Sequence, residues 1–100
     1  MNKNEIAIIG GAGFVGSRLN QRLKKKNIFF NSYDINLSNQ LDKSIYLDVE
    51  NIYSLDQLAK VDTIINLAAV HRDDIRPLSR YDEVNVQGAR NVCEAATRYI

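Results

Sequence analysis

Short apolar runs alternate with amphipathic stretches along the 100 residues of the chain. The first run ends at Ile9, and polar and apolar residues then follow a helical pattern from Phe14 to Lys26. A second run, from Ile28 to Tyr33, ends at Asp34. Because strands covered on both faces by helices are nearly continuously apolar, this order predicts a β-α-β unit in a parallel sheet.

The rest of the chain continues the alternation. A short β-type run covers residues 44–47, apolar positions at helical spacing fall between Ile52 and Lys60, and residues 61–69 form a strand that ends in Ala68 and Ala69. The last segment, Tyr81 to Tyr99, is predicted to be a helix. Its expected core-facing residues are Val84, Val92, Cys93 and Ala96. The fold class predicted is α/β: a Rossmann-type parallel sheet with flanking helices and about four strands in the order 3-2-1-4.

Closely spaced glycines join the first strand to the first helix. Gly10 or Gly11 allows a tight turn, Gly13 lacks a Cβ that would keep phosphates from the backbone, and Gly16 lets the helix pack closely. The first N–H groups of a helix have no intrahelical acceptor and carry partial positive charge. This turn therefore predicts a site for the pyrophosphate of a dinucleotide.

An acid stands at the end of the second predicted strand. Asp34 follows Gly16 at close to the roughly 20 residues expected for a ribose-binding carboxylate. Such a carboxylate accepts hydrogen bonds from the ribose hydroxyls and repels a 2′-phosphate, which favours NAD over NADP. The alternative is that Asp34 only begins a polar loop with Asn36, Ser38 and Asn39.

Composition narrows the class of protein. The chain is 45% hydrophobic and 25% charged with a formal net charge of +1, values of an ordinary globular domain with no global field for nucleic acid or an anionic membrane surface. No apolar run approaches the roughly 20 residues that span a bilayer. The single Cys93, expected to be a buried thiol, excludes an internal disulfide, and we expect a cytoplasmic protein. Gly88, inside the last helix, predicts close approach to a neighbouring strand or to the cofactor.

Several separated motifs match one family. They are the glycine segment 10–16, Asp34, the pair Asp48 and Val49, the segment 66–69, and the segment 84–88. In this order and spacing the chain resembles the N-terminal part of extended short-chain dehydrogenases/reductases, the NAD-dependent epimerase/dehydratase group that acts on nucleotide-sugars. The resemblance covers nearly the whole chain.

The resemblance implies a role for each cofactor-binding position. Gly10, Gly13, Phe14, Val15 and Gly16 would form the pyrophosphate cradle, and Asp34 would bind the adenosine ribose. Asp48 would accept a hydrogen bond from the adenine amino group with Val49 against the ring, although Asp48 could instead only cap the strand end or the next helix. Further positions near the cofactor would be Leu67, Ala68, Ala69, Asn85 and His71.

His71 has alternatives close by. Family members place a basic residue near the cofactor phosphates at this position, but Arg72 or Arg76 could supply the charge instead, and His71 could be solvent-exposed. Asp73 and Asp74 are interpreted as surface partners of these bases, and no metal site is expected.

The sequence also departs from the family. Ile9 stands where threonine is frequent and Asn66 where histidine is frequent, which leaves the substrate open. The family's hydride-transfer chemistry uses a tyrosine with a lysine four residues later, and the chain contains no such pair. We therefore expect residues 1–100 to be the NAD-binding part of a longer epimerase, dehydratase or reductase, not catalytic by itself. The alternatives are a non-catalytic nucleotide-binding or interaction module and a Rossmann-like half that binds no nucleotide.

The predicted strand order places the fourth strand at an edge of the sheet. An apolar edge with unpaired backbone groups favours pairing with another chain. We therefore expect a homodimer, formed by edge pairing or by exchange of the last helix about a hinge such as Arg76-Pro77.

Overall fold

The computed structural model describes residues 5–37, 44–69 and 82–100. Its sheet contains β1 (Ile6–Ile9), β2 (Phe30–Asp34), β3 (Ile45–Tyr46) and β4 (Thr63–Asn66). All pairs are parallel, in the order β3-β2-β1-β4. The predicted α/β class and the strand order 3-2-1-4 are confirmed.

The strands are in register at their carboxyl ends. Ile9 at the end of β1 pairs with Tyr33 on one side and with Asn66 on the other. The loops that leave these strands therefore start at one edge of the sheet, which is where open parallel sheets bind ligands.

Helix α1 (Phe14–Lys25) follows the glycine turn and ends in a Schellman motif. Asn27 has a left-handed φ of 57°, and the N–H groups of Asn27 and Ile28 donate to the carbonyls of Lys24 and Leu23. Basic residues in the last turn lie at the negative end of the helix dipole. The lysine run 24–26 is thereby accounted for by the helix terminus.

The segment predicted as a helix from Ile52 is a 3₁₀-helix over Ser54–Lys60. With three residues per turn, Leu55, Leu58 and the following Val61 fall on one line, and all three are buried. Ile52 and Ala59, which α-helical spacing placed with them, are exposed. The tighter winding explains this difference.

The last helix begins as a π-helical segment, Asp82–Gly88, and continues as α2 (Ala89–Tyr99). A Cβ on Gly88 would lie 2.6 Å from Cγ2 of Val49. The close approach predicted from this glycine is therefore present, and its neighbour is the loop that follows β3.

The prediction that Cys93 faces the core is wrong. Cys93 is exposed, whereas Gly88, Asn91, Val92 and Ala95 are buried. The buried face of α2 thus includes Asn91. Because its side chain is polar, the sequence pattern did not predict that Asn91 would face the core. Asn91 is accommodated because its amide donates to the carbonyl of Val49 at 2.9 Å and accepts from Gln87 at 3.1 Å.

The sheet is covered on both faces. Side chains alternate along a strand, so Ala7, Ile9 and Tyr33 face the core formed with the 3₁₀-helix and α2. Ile8 and Ser32 point to the opposite face, on the side of Asn20 of α1. Within residues 5–37, 44–69 and 82–100, no helix has the length and hydrophobicity needed to cross a membrane.

Candidate functional site

A cleft of about 690 Å³ opens at the carboxyl ends of the strands. Its volume lies in the range of small-molecule sites, roughly 300–1,000 Å³. The residues predicted to bind the cofactor and found in its lining are Gly10, Gly13, Phe14, Val15, Gly16, Asp34, Asp48, Val49, Leu67, Ala68 and Ala69. The fold therefore brings these separated motifs to one place.

The glycine turn is fixed to the end of β2. The N–H groups of Gly10 and Gly11 both donate to the carbonyl of Tyr33, at 2.7 and 3.1 Å. Gly10 has a φ of 84°, and a Cβ there would also lie 2.9 Å from the backbone N of Ala68. Of the two glycines considered for the turn, Gly10 is thus the one whose backbone conformation requires glycine.

The N-terminus of α1 faces the cleft with donors that have no acceptor within the helix. The first intrahelical hydrogen bond runs from the N–H of Ser17 to the carbonyl of Gly13, at 2.9 Å. The N–H groups of Phe14, Val15 and Gly16 precede it and have no intrahelical acceptor. Gly13 provides no side-chain cap, and no acid stands in the first turn. This end of the helix can therefore accept an anion.

Gly13 and Gly16 differ in what surrounds them. A Cβ on Gly16 would overlap the carbonyl oxygen of Gly10, so the protein's own packing requires glycine there. A Cβ on Gly13 would meet, among the described residues, only that same oxygen at an ordinary 3.4 Å. The space beside Gly13 fits a phosphate that must approach the backbone.

Asp34 points toward the glycine turn. Its Oδ2 accepts from the N–H of Ala12 at 2.9 Å, and its Oδ1 accepts from the N–H of Asn36 at 2.8 Å. An ionised carboxylate has about four acceptor positions, so each oxygen retains capacity for one more donor. The side chain is part of a turn with Asn36 and is also available to two adjacent hydroxyl groups in the cleft.

The loop after β3 forms the opposite wall. Asp48 Oδ1 accepts from the N–H of Glu50 at 2.9 Å, and the hydroxyl of Ser54 donates to the carbonyl of Asp48 at 2.7 Å. The side chain of Asp48 thus makes a local turn after β3 but does not cap the 3₁₀-helix, which has no side-chain cap, and the same residue also lines the cleft. Asn91 holds this wall from behind through the carbonyl of Val49.

Two predicted positions are not placed in the cleft. Asn85 is exposed on the π-helical segment and is not part of the lining, whereas its neighbour Val84 is. Winding with i to i+5 hydrogen bonds changes which residues of a helix share a face, and the sequence carries no signal of it. His71 lies outside the described residues, as do Arg72, Asp73, Asp74 and Arg76.

Sequence reasoning missed several lining residues. Four of them lie at or next to the ends of predicted strands, and this position is the signal that could have found them: Ile9, Ile35, Leu47 and Glu50. Asn20, which hydrogen-bonds the glycine turn from inside the protein, has no sequence signal beyond its place in α1.

The described lining carries three carboxylates, Asp34, Asp48 and Glu50, and no basic side chain. In this part of the cleft, only backbone N–H groups are available to phosphates, and negative charge surrounds the region of Asp34. The residues that the structure covers contain no group of three or more His, Cys, Asp or Glu that could hold a metal ion.

A parallel sheet in the order 3-2-1-4, with a glycine turn that leads from β1 into an uncapped helix, defines a Rossmann-type domain. The model of the NAD dependent epimerase/dehydratase family matches residues 6–99. The chain belongs to this family. NAD, the cofactor in the family's description, is the one that the sequence predicted.

Relatives extend well beyond this segment. The chain is 43% identical over 105 aligned residues to N-acetyl-alpha-D-glucosaminyl-diphospho-ditrans,octacis-undecaprenol 4-epimerase of Escherichia coli O157:H7, covering 95% of the chain and 29% of that protein. The crystal structure of Thermus thermophilus UDP-glucose 4-epimerase in complex with NAD superimposes with a TM-score of 0.80 at 20% identity, over 95% of the chain and 34% of that structure. The structure of L-threonine dehydrogenase from Clostridium difficile superimposes with a TM-score of 0.80 at 26% identity, over 99% of the chain and 34% of that structure. The chain thus spans less than two fifths of these relatives.

Proposed function

We propose that this chain binds NAD in the cleft between the glycine turn and the β3 loop. One observation carries the proposal: the N–H groups of α1 that lack an intrahelical acceptor and the carboxylate of Asp34 face the same cleft, joined through Ala12. Family membership supports the choice of cofactor.

The residues would divide the cofactor among them. The backbone N–H groups of Phe14, Val15 and Gly16 would hold the pyrophosphate, with Gly10 and Gly13 leaving room for it. Asp34 would accept hydrogen bonds from the adenosine ribose hydroxyls, and Asp48 from the adenine amino group with Val49 against the ring. Leu67, Ala68 and Ala69 would lie beside the cofactor at the end of β4. His71 and Asn85 stay predictions as further contacts.

When bound, NAD supplies a hydride acceptor for the oxidation of a sugar hydroxyl. The described residues would bind and orient it. The negative charge of Asp34 would oppose the 2′-phosphate of NADP, so the cofactor preference is set by this chain.

Calorimetry with the 100-residue chain tests this proposal. We expect NAD to bind and to raise the melting temperature, and NADP to bind more weakly. Asp34→Asn should weaken NAD by about tenfold, the equivalent of one charge-assisted hydrogen bond, and should narrow the gap to NADP. Asp62→Asn is the matched control, because Asp62 is exposed and lies at the amino ends of the strands, away from the cleft. It should change neither the affinity for NAD nor the difference between NAD and NADP. Absence of any effect of millimolar NAD on the melting temperature would instead support the Rossmann-like half without a nucleotide.

We further propose that residues 1–100 are the NAD-binding part of a longer epimerase/dehydratase-type oxidoreductase whose substrate is a nucleotide-sugar. The family match and the small share of each relative that the chain spans support this. Because the sequence has no tyrosine with a lysine four residues later, the segment would not be catalytic alone. A downstream reading frame that contains such a pair would favour the enzyme, and a natural stop at Ile100 would favour a non-catalytic binding module.

A second substrate class is favoured by the 43% identical relative, whose name specifies a sugar linked through a diphosphate to undecaprenol. A lipid-linked sugar and a nucleotide-sugar share the glycosyl diphosphate. Assaying the full-length protein with both kinds of substrate distinguishes them.

The homodimer and the cytoplasmic location are also proposals. β4 occupies a sheet edge, with Thr63 and Asn66 exposed, which supports edge pairing between copies. Light scattering coupled to size-exclusion chromatography tests this, because a monomer at tens of micromolar would contradict it. A single cysteine supports a reducing compartment.

A further inference from the structure

One peptide group of the glycine turn is held from both sides. The carbonyl of Gly11 accepts from Nδ2 of Asn20 at 3.1 Å, and the N–H of Ala12 donates to Oδ2 of Asp34 at 2.9 Å. These two groups belong to the same peptide, and in a trans peptide they point in opposite directions. The side chains of Asn20 and Asp34 are thus connected through the planar Gly11–Ala12 peptide group.

The burial of Asn20 indicates what its amide is for. The side chain is fully buried on the inner face of α1, and its Oδ1 has no hydrogen-bond partner in the described structure. An unpartnered buried oxygen lowers the stability of the fold, a cost that an apolar side chain would avoid. The benefit that the structure shows for the amide is the bond to Gly11.

The orientation of the amide is fixed by its partner. Exchanging Oδ1 and Nδ2 would place an oxygen against the carbonyl oxygen of Gly11, so the nitrogen must face the turn. Ser32 and the N–H bonds of Gly10 and Gly11 to Tyr33 confine the same turn on its other sides. With Asn20 in place, the Gly11–Ala12 peptide has one orientation, in which its N–H is directed at Asp34.

We propose that Asn20 is a positioning residue for the cofactor: it orients the Gly11–Ala12 peptide and thereby aims the carboxylate of Asp34 at the adenosine ribose. This inference rests on the proposed NAD site. Asn20 would not contact the cofactor itself. It acts through Asp34, and its effect is confined to recognition of the ribose.

The test uses Asn20→Leu, which removes the donor and keeps the number of side-chain heavy atoms. Asn20→Ala, which removes the donor without adding bulk, is the second variant. The first readout needs no ligand: amide hydrogen exchange at Ala12, followed by NMR. We expect exchange to become about tenfold faster, the equivalent of one lost hydrogen bond. Leu23→Ala, a half-buried change about one turn further along α1, is the control for general loosening of the helix.

The second readout compares NAD with its analogue that lacks the 2′-hydroxyl of the adenosine ribose. Asn20→Leu should weaken the binding of NAD by about tenfold and that of the analogue clearly less. The ratio of the two affinities should therefore fall. Leu23→Ala should leave the ratio unchanged. A purely structural role for Asn20 would weaken both ligands equally.

The outcomes separate the two proposals. If the unmodified chain binds NAD but Asn20→Leu alters neither Ala12 exchange nor the ratio, the positioning role is overturned and the NAD site stands. If the unmodified chain does not bind NAD while Ala12 exchange accelerates in the variant, the NAD site is overturned and the coupling of Asn20 to Asp34 is supported.

Discussion

The phenol of Tyr33 donates a hydrogen bond to the carboxylate of Glu5 at 2.5 Å inside the protein. Both side chains are buried on the same face of the sheet. The small Ala7 lies between Glu5 and Ile9, the residue of β1 that pairs with Tyr33. Burial raises the pKa of Tyr33 above its ordinary value, and the hydrogen bond and charge of Glu5 raise it further. The pair connects the start of β1 with the residue that anchors the glycine turn.

This pair predicts a loss of stability at alkaline pH. Because the folded protein keeps the Tyr33 proton to a higher pH than the unfolded chain does, the contribution of the phenol is complete below the ordinary tyrosine pKa of about 10 and declines as the pH rises above it. Urea unfolding between pH 8 and pH 11, a range of about three units, should show this decline. Tyr33→Phe should make that part of the profile flatter.

The same variant should be destabilised at neutral pH. Tyr33→Phe removes the donor and leaves the buried Glu5 carboxylate short of a partner, which costs about 1–3 kcal/mol. Tyr53→Phe is the matched control, because Tyr53 is 79% exposed. Equal unfolding free energies for the two variants would contradict the role assigned to the pair.

Gly13 and Gly16 predict opposite responses to alanine. Gly13 has a φ of −79°, which alanine adopts readily, and its Cβ would enter open space. Gly13→Ala should change stability by less than about 1 kcal/mol while it weakens NAD binding, because the reduced freedom of the unfolded chain opposes the poorer N-cap preference of alanine. Gly16→Ala should lower the unfolding free energy by about 1–3 kcal/mol, since its Cβ would overlap the carbonyl of Gly10. Urea unfolding and calorimetry on both variants check this, and a Gly13→Ala protein with unchanged NAD affinity would contradict the cradle.

Gly88 predicts a rescue. Gly88→Ala gains about 1 kcal/mol of helix propensity but places a Cβ 2.6 Å from Cγ2 of Val49. Overpacking of this kind costs about 1–3 kcal/mol, so we expect a net loss or no gain. Adding Val49→Ala should make Gly88→Ala stabilising, and a double-mutant cycle measures the coupling. Additive effects would show that the two residues do not contact each other.

Much of the fold was predictable because local and global signals agree. The apolar runs that end at Ile9 and Tyr33 are separated by a glycine turn and an amphipathic segment. In a parallel sheet with helical connections, that sequence of elements favours a single strand order. The strand bounds differ by only a few residues from the prediction. The family motifs likewise predicted the lining on both sides of the cleft.

The differences share a physical cause: they depend on contacts distant in sequence. Cys93 looked apolar and Asn91 polar, yet Asn91 is buried because the carbonyl of Val49 is available to it. Asn20 and Glu5 are buried for similar reasons, each beside a partner that the fold supplies. The 3₁₀ and π-helical windings were also unpredicted, since composition does not distinguish them from an α-helix.

We propose that NAD occupies the cleft formed by the glycine turn and Asp34. Titrating the ¹⁵N-labelled chain with NAD tests it directly, because each backbone amide reports separately. We expect the amides of Gly13, Phe14, Val15 and Gly16 to shift together with those of Asp34 and Ile35, whereas those of Arg98 and Tyr99, at the far end of α2, should not. Binding that leaves the amides of residues 13–16 unshifted would contradict it.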